Sequence, residues 1–219
     1  PHASEEVMVA RNLSLAHLTG VHVHLAHLST ARSVELVRLA KKQGLPVSAE
    51  VCPHHFSVTE DAVRGYNSNA KMNPPLRTDP DIQALKEGLR DGTTDVIATD
   101  PAPHAIQEKQ LEFDAAPFGI VGFETALPLT LRLVEKGVLS LEQALDKLAK
   151  SPAILFNLPA GSLEVGQDAD VVTFAPQEEW VIDPTRFRSK SRNTHFGGWK
   201  VKGRVKHPIV GGRLVYEER

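Results

Sequence analysis

Residues 21–51 read VHVHLAHLSTARSVELVRLAKKQGLPVSAEV. Val21, Val23 and Leu25 alternate with His22 and His24, the period-two pattern of a strand. Ser29 and Thr30 offer side-chain oxygens to cap a helix. Val34, Val37 and Ala40 then recur at near-helical spacing, Leu36 and Leu39 widen the stripe, and Lys41, Lys42 and Gly44 close it. Residues 46–51 read as the next strand. A strand, a helix and a strand in this order predict parallel pairing, because the helix carries the chain back to the starting edge of the sheet.

The same rhythm extends in both directions. Upstream, Ser4, Glu5 and Glu6 start a predicted helix whose apolar residues Val7, Val9, Ala10, Leu13 and Leu18 run to Thr19 and Gly20. Downstream, a helix over 79–89, a turn at Asp91-Gly92 and a strand over 94–98 follow. Residues 101–122 form a long loop beyond a strand end, where parallel α/β folds place their chemistry. Two helices are expected over 123–136 and 141–148, punctuated by Gly137 and by Ser151-Pro152. Past residue 159 the texture changes. Gly161, Gly166, Gly197, Gly198, Gly203, Gly211 and Gly212 interrupt short β-rich runs such as 170–174 and 213–216, which predicts a small antiparallel unit.

The chain has 219 residues, with 25 Lys and Arg against 27 Asp and Glu and a formal net charge of −2. Interspersed signs without a basic block argue against a nucleic-acid or anionic-membrane surface; the short cluster at 186–192 reads as a solvated loop. Apolar runs fall far short of the roughly 18 residues a membrane span needs. The single cysteine, Cys52, cannot form an internal disulfide, and no signal peptide is visible, so a reducing cytoplasm is the expected setting. Ten histidines against two Met, two Trp and two Tyr are the compositional oddity.

Strand ends gather the candidate chemistry. His22, His24 and His27 lie on or just past one strand, and Asp100 ends another; imidazole and carboxylate are the usual ligands of a hydrolytic metal. His22 and His24 share a strand face while His27 has passed the strand end, so at most one or two of the three can face one ion. For each of them, a structural imidazole is the alternative. His54 and His55 are expected to diverge and to serve structure. Residues 71–77, KMNPPLR, combine a double proline with amide and cationic donors, which suits either recognition of a carboxylate or amide, or a rigid turn. Serine-hydrolase, dinucleotide and P-loop patterns are absent.

Together, the stretches HLAHLST (24–30), EVCPHH (50–55), KMNPPLR (71–77), DVIATDPAPH (95–104), APFGIVGFE (116–124), GSLEVGQDAD (161–170), SKSRNT (189–194) and IVGGR (209–213) resemble the C-terminal half of a class I dihydroorotase of the amidohydrolase superfamily. The resemblance implies the C-terminal half of a (β/α)8 TIM-like barrel over residues 1–155 and part of a β-sandwich-like accessory domain over 156–219. The chain is then expected to be a fragment. It implies reversible cyclisation of N-carbamoyl-L-aspartate to L-dihydroorotate in pyrimidine biosynthesis, with one or two Zn²⁺ per site. His27 and Asp100 are the implied metal ligands, and Asp100 is also the catalytic base; Asn73, His104, Phe118 and Gly119 are the implied substrate contacts. Further ligands are expected upstream of Pro1, and the missing N-terminal half, a second copy, or aspartate transcarbamoylase are the implied partners. The family usually has His after the catalytic Asp, whereas this chain has Pro101. That departure favours the alternative of a non-catalytic, dihydroorotase-like subunit; another cyclic amidase, a dihydropyrimidinase or allantoinase, is the nearest enzymatic alternative.

Overall fold

The computed structural model describes residues 1–217. Helix α1 (Ala3–Thr19) leads into strand β1 (Val23–Leu25), helix α2 (Ala31–Lys42), strand β2 (Val47–Val51), helix α3 (Asp79–Asp91) and strand β3 (Val96–Ile97). The strands form a parallel sheet in the order β1-β2-β3. Their C-terminal ends therefore point the same way, and the segments that follow them share one edge of the sheet.

The local reasons are those the sequence displays. Gly20 adopts a left-handed φ of 69° and returns its N–H to the Ala16 carbonyl, ending α1. Thr30 caps α2 by accepting a hydrogen bond from the Ser33 N–H. Asp81 accepts from Thr78 at the start of α3, and Gly92, with φ 82°, ends that helix. The paired stretches are shorter than predicted. Val21 and His22 precede the first ladder bond, from the Val23 N–H to the Pro46 carbonyl, and β3 is framed by bonds from Asp95 to Ala49 and from Ala98 to Val51. Leu13 and Ala16 of α1, Val34 and Val37 of α2, Leu85 and Leu89 of α3, and Ala49 and Val51 of β2 share one buried cluster. A fully buried Leu or Val there contributes about 1.5–3 kcal/mol.

The long loop carries a short helix α4 (Ile106–Lys109) and is followed by α5 (Phe123–Glu135) and α6 (Leu141–Leu145). Ser151-Pro152 does not end the helical run as expected. A π-type turn, Asp146–Lys150, passes directly into α7 (Ser151–Leu155), with Pro152 in the first turn of α7.

The C-terminal region is the antiparallel sheet anticipated, β4-β5-β6, but its main strands are long: β4 (Val171–Val181) and β5 (Lys200–Val210), with a short β6 (Arg213–Leu214). Register shifts between Thr173 and Phe174 and between Ala175 and Glu179 absorb Pro176, and Gly203 lies inside β5 instead of breaking it. A second buried cluster joins Ile182, Phe187, Phe196 and Val201 of this region to Met72, Leu76, Ile120, Val121 and Leu129. No helix among the described residues is long and apolar enough to cross a membrane.

Candidate active site

The chain turns sharply just beyond β1 and β3. His27 and Asp100 both take left-handed backbone conformations, with φ 54° and 45°, uncommon for residues that carry a Cβ. The turns bring the two side chains together: His27 Nε2 lies 3.7 Å from Asp100 Oδ1. The other ring nitrogen, Nδ1, lies 2.8 Å from Glu50 Oε1, and Glu50 Oε2 lies 3.1 Å from His24 Nε2. Glu50 therefore holds His27 by one nitrogen and leaves the other directed at Asp100. Its carboxylate is nearly buried at 8% exposure. Burial favours the protonated acid, but the hydrogen bonds from His24 and His27 outweigh it and bring Glu50 down to about 2. The hydrogen bond to Glu50 raises His27 above the usual imidazole range; burial opposes this and Asp100 adds to it.

Glu50 is the site residue that sequence reasoning missed. The signal was an acid inside the apolar strand VSAEV, since a buried carboxylate demands partners. His24 is spent on Glu50 and on Ser48 Oγ at 2.8 Å, and His22 also reaches Ser48 Oγ, at 3.1 Å. Of the three histidines, His27 alone faces Asp100.

The donor chemistry fits a divalent metal ion. Two ligands that each stand about 2.1 Å from one ion lie no more than about 4.2 Å apart, and the His27–Asp100 separation is within that limit. The Cys52 sulfur lies 3.3 Å from His27 Nδ1, and donor atoms of His27, Cys52 and Asp100 all lie within 4.8 Å of one another. Burial pushes the Cys52 thiol well up, helped by Asp100 and Glu50, so the sulfur is held as the neutral thiol. Carboxylate-anchored imidazole is the arrangement that fixes a metal-binding histidine in its tautomer.

His54 and His55 do not diverge. The chain leaves β2 in turns instead of continuing extended, and the two buried rings stand 4.3 Å apart. His55 Nε2 donates to the Pro74 carbonyl at 2.8 Å, and burial brings the ring down to about 4. The cations of the KMNPPLR stretch serve structure. Arg77 is buried and meets Ser29 Oγ at 3.0 Å and Glu5 Oε2 at 3.7 Å, while Lys71 Nζ donates to the carbonyls of Phe113, Asp114 and Ala116.

A second group forms around the long loop. His104 Nε2 donates to the Phe118 carbonyl at 3.0 Å, and the Ala102 N–H bonds the Ile120 carbonyl at 2.8 Å. Gly119 takes φ 93°, and a Cβ there would come 2.5 Å from the Ala102 Cβ, so only glycine allows the two parts of the loop to approach. Lys109 is buried against the Pro117 and Gly119 carbonyls; burial, and the neighbouring Lys71 ammonium, bring it down to about 8. His104, Phe118 and Gly119 are thus brought together. Asn73 is exposed, and its side chain makes no hydrogen bond to any of them among the described residues.

A family model described as "Amidohydrolase family" matches residues 2–215. The chain is 54% identical, over 99% of its length, to a dihydroorotase of Syntrophotalea carbinolica, and 52% identical, over its whole length, to a dihydroorotase of Pelotomaculum thermopropionicum. It covers 51% and 52% of those two proteins, so it spans about half the length of the curated relatives it matches. Among solved structures, a dihydropyrimidinase from Brevibacillus agri superposes with a TM-score of 0.94 at 25% identity, covering 99% of this chain and 49% of that one. An L-hydantoinase (dihydropyrimidinase) from Arthrobacter aurescens does so with a TM-score of 0.93 at 30% identity, again over 99% and 49%.

Proposed function

We propose a function on this premise: the chain belongs to the amidohydrolase family. The protein that contains it interconverts N-carbamoyl-L-aspartate and L-dihydroorotate, and this chain carries part of the active site. The observation that carries the reading is the convergence of His27 and Asp100 at the ends of strands in one parallel sheet, with Glu50 anchoring the imidazole. Identities of 54% and 52% to dihydroorotases, against 25% and 30% to the dihydropyrimidinase and hydantoinase structures, favour dihydroorotate over other cyclic amides.

Amidohydrolases are metal-dependent, and in this reading His27 and Asp100 hold a zinc ion. Bound there, zinc would polarise the scissile carbonyl and raise the acidity of water. Asp100 moves the proton. In hydrolysis it takes a proton from water and returns it to the leaving ring nitrogen; in cyclisation it accepts one from the ureido nitrogen as that nitrogen attacks the carboxylate, and returns it to the departing oxygen, which leaves as water with a second proton from solvent. His104, Asn73 and the backbone of Phe118 and Gly119 bind the polar groups of the substrate and orient it. Residues 1–155 contribute β/α units to an eightfold barrel, and 156–219 belong to an accessory domain. The remaining ligands come from the rest of the protein, and the enzyme works in the cytoplasm.

One residue favours a second reading. Pro101 stands where the resembling family has histidine, which fits a non-catalytic subunit that scaffolds aspartate transcarbamoylase. Turnover of dihydroorotate, dihydrouracil and allantoin by the full-length protein separates the possibilities. Dihydroorotate should be the preferred substrate. Activity confined to dihydrouracil or allantoin would replace the reading with another cyclic amidase, and a metal-free, inactive protein that co-purifies with the transcarbamoylase would replace it with the scaffold.

A further inference from the structure

Six of the seven backbone carbonyls between Phe113 and Gly119 accept from side chains, an unusual set of partners for a loop. The carbonyls of Phe113, Asp114 and Ala116 accept from Lys71 Nζ at 2.6, 2.9 and 2.6 Å. Those of Pro117 and Gly119 accept from Lys109 Nζ at 2.8 and 3.2 Å, and that of Phe118 accepts from His104. Asn193, far along the chain, adds a third clamp: its Nδ2 donates to the Ala102 carbonyl at 2.9 Å and the Gly119 carbonyl at 3.2 Å, and its Oδ1 accepts from the His104 N–H at 3.1 Å. Its own carbonyl accepts from the Val121 N–H at 2.9 Å. Lys71, Lys109 and Asn193 are 9%, 6% and 5% exposed, so all three are withdrawn from solvent to serve backbone.

Burying two ammonium groups is costly unless their protons are satisfied. A loop that needed only to be covered could be held by apolar contacts, and this one also has the Phe113 and Phe118 rings, 5.3 and 4.6 Å from Lys71 Nζ. What the cations add is direction. In a trans peptide the carbonyl and the N–H of one plane point opposite ways. Holding the Pro117 and Gly119 carbonyls against Lys109 therefore turns the Phe118 and Ile120 N–H groups away from it, and neither has a backbone partner among the described residues.

The Gly119 N–H is itself taken up by the Lys71 carbonyl at 2.8 Å. We propose that Lys71, Lys109 and Asn193 are positioning residues that orient the loop backbone, so that the N–H groups of Phe118 and Ile120 and the ring of His104 meet the anionic groups of the substrate together. The assignment rests on the dihydroorotase reading of the site. None of the three touches the substrate; each acts through carbonyls. Asn193 makes the arrangement two-sided, tying the segment that follows Asp100 to the segment that holds Gly119.

Steady-state kinetics of the full-length protein test the assignment, with Lys109→Met and Asn193→Asp as variants. Asn193→Asp keeps the oxygen that receives the His104 N–H and removes the two donations to carbonyls. Each variant should raise KM for dihydroorotate about tenfold or more and lower kcat by a smaller factor, with metal content and circular dichroism unchanged. Lys109→Arg, which restores donors, should recover most of the KM. If Lys109→Met fails to fold, Asn193→Asp and Lys109→Arg carry the test alone. Unchanged KM in a folded Asn193→Asp variant, or loss of kcat alone, would overturn the assignment while leaving the enzyme reading intact. A wild-type protein without dihydroorotate turnover would remove the enzyme reading itself.

Discussion

The candidate site depends on a carboxylate that stands behind its histidine. Glu50 sits between His24 and His27 and fixes the direction of His27 Nε2 toward Asp100. Polar residues at strand ends are visible as interruptions of an apolar pattern, which marks His22, His24, His27 and Asp100 together; the choice of His27 with Asp100 rests on the family resemblance. Glu50 was less visible, because its role comes from a cross-strand neighbour 23 positions away, which no local pattern encodes. The loop group follows the same logic: His104 and Phe118 lie 14 residues apart and meet through one hydrogen bond. If His104 binds an anionic group of the substrate, His104→Ala should raise KM through a lost charge-assisted hydrogen bond of about 1.5–3 kcal/mol, roughly a 10- to 150-fold effect. Titration of initial rates against dihydroorotate measures it, and an unchanged KM would remove His104 from substrate binding.

At the scale of elements, caps and helix cores were the most legible features. Thr30, Gly20 and Gly92 act where their chemistry predicts, since a cap needs only its nearest neighbours. Strand lengths were not legible, because a strand ends where its partner ends. β5 runs through Gly203 for a tertiary reason: a Cβ at this position would stand 2.1 Å from Leu131 Cδ1 of α5, and φ is 93°. Gly203→Ala should therefore destabilise the protein by about 1–3 kcal/mol through overpacking, with backbone strain adding to it; a denaturant midpoint equal to that of the wild type would show that α5 and β5 do not pack so closely. The turn after β2 gives a second prediction. His55 is held at about 4 by burial, below the ordinary 6.5 of imidazole. The unfolded chain thus binds more protons than the folded one between these values, and stability should fall as pH drops from about 6.5 to 4. His54, lowered by burial too, adds in the same direction, and Glu50, lowered from 4.5 to about 2, adds below about pH 5, where the unfolded carboxylate begins to take up its proton. Thermal midpoints across the window should decline less steeply in His55→Gln, and equal slopes would exclude His55 as the source.

At the scale of the molecule, two buried clusters organise the chain. One packs helices α1 to α3 on the parallel sheet and holds His27, Glu50 and Asp100 at its edge. The other joins the loop that carries Gly119 to the C-terminal sheet, so the loop is held in place from the far end of the chain. The order of β/α units was legible from periodicity, since each needs only its own apolar face. The junction of the loop with Asn193 was not, because it links segments 74 residues apart through one amide. The chain covers about half of its curated relatives, and a complete site in this reading draws further ligands from the other half. The most direct measurement is turnover of L-dihydroorotate by the full-length, metal-loaded protein and by its Asp100→Asn variant. The account predicts turnover by the wild type and its loss by a factor of about a hundred or more in a folded Asp100→Asn protein, as removal of a general base requires; near-equal rates in the two proteins, or no turnover by the wild type, would contradict it.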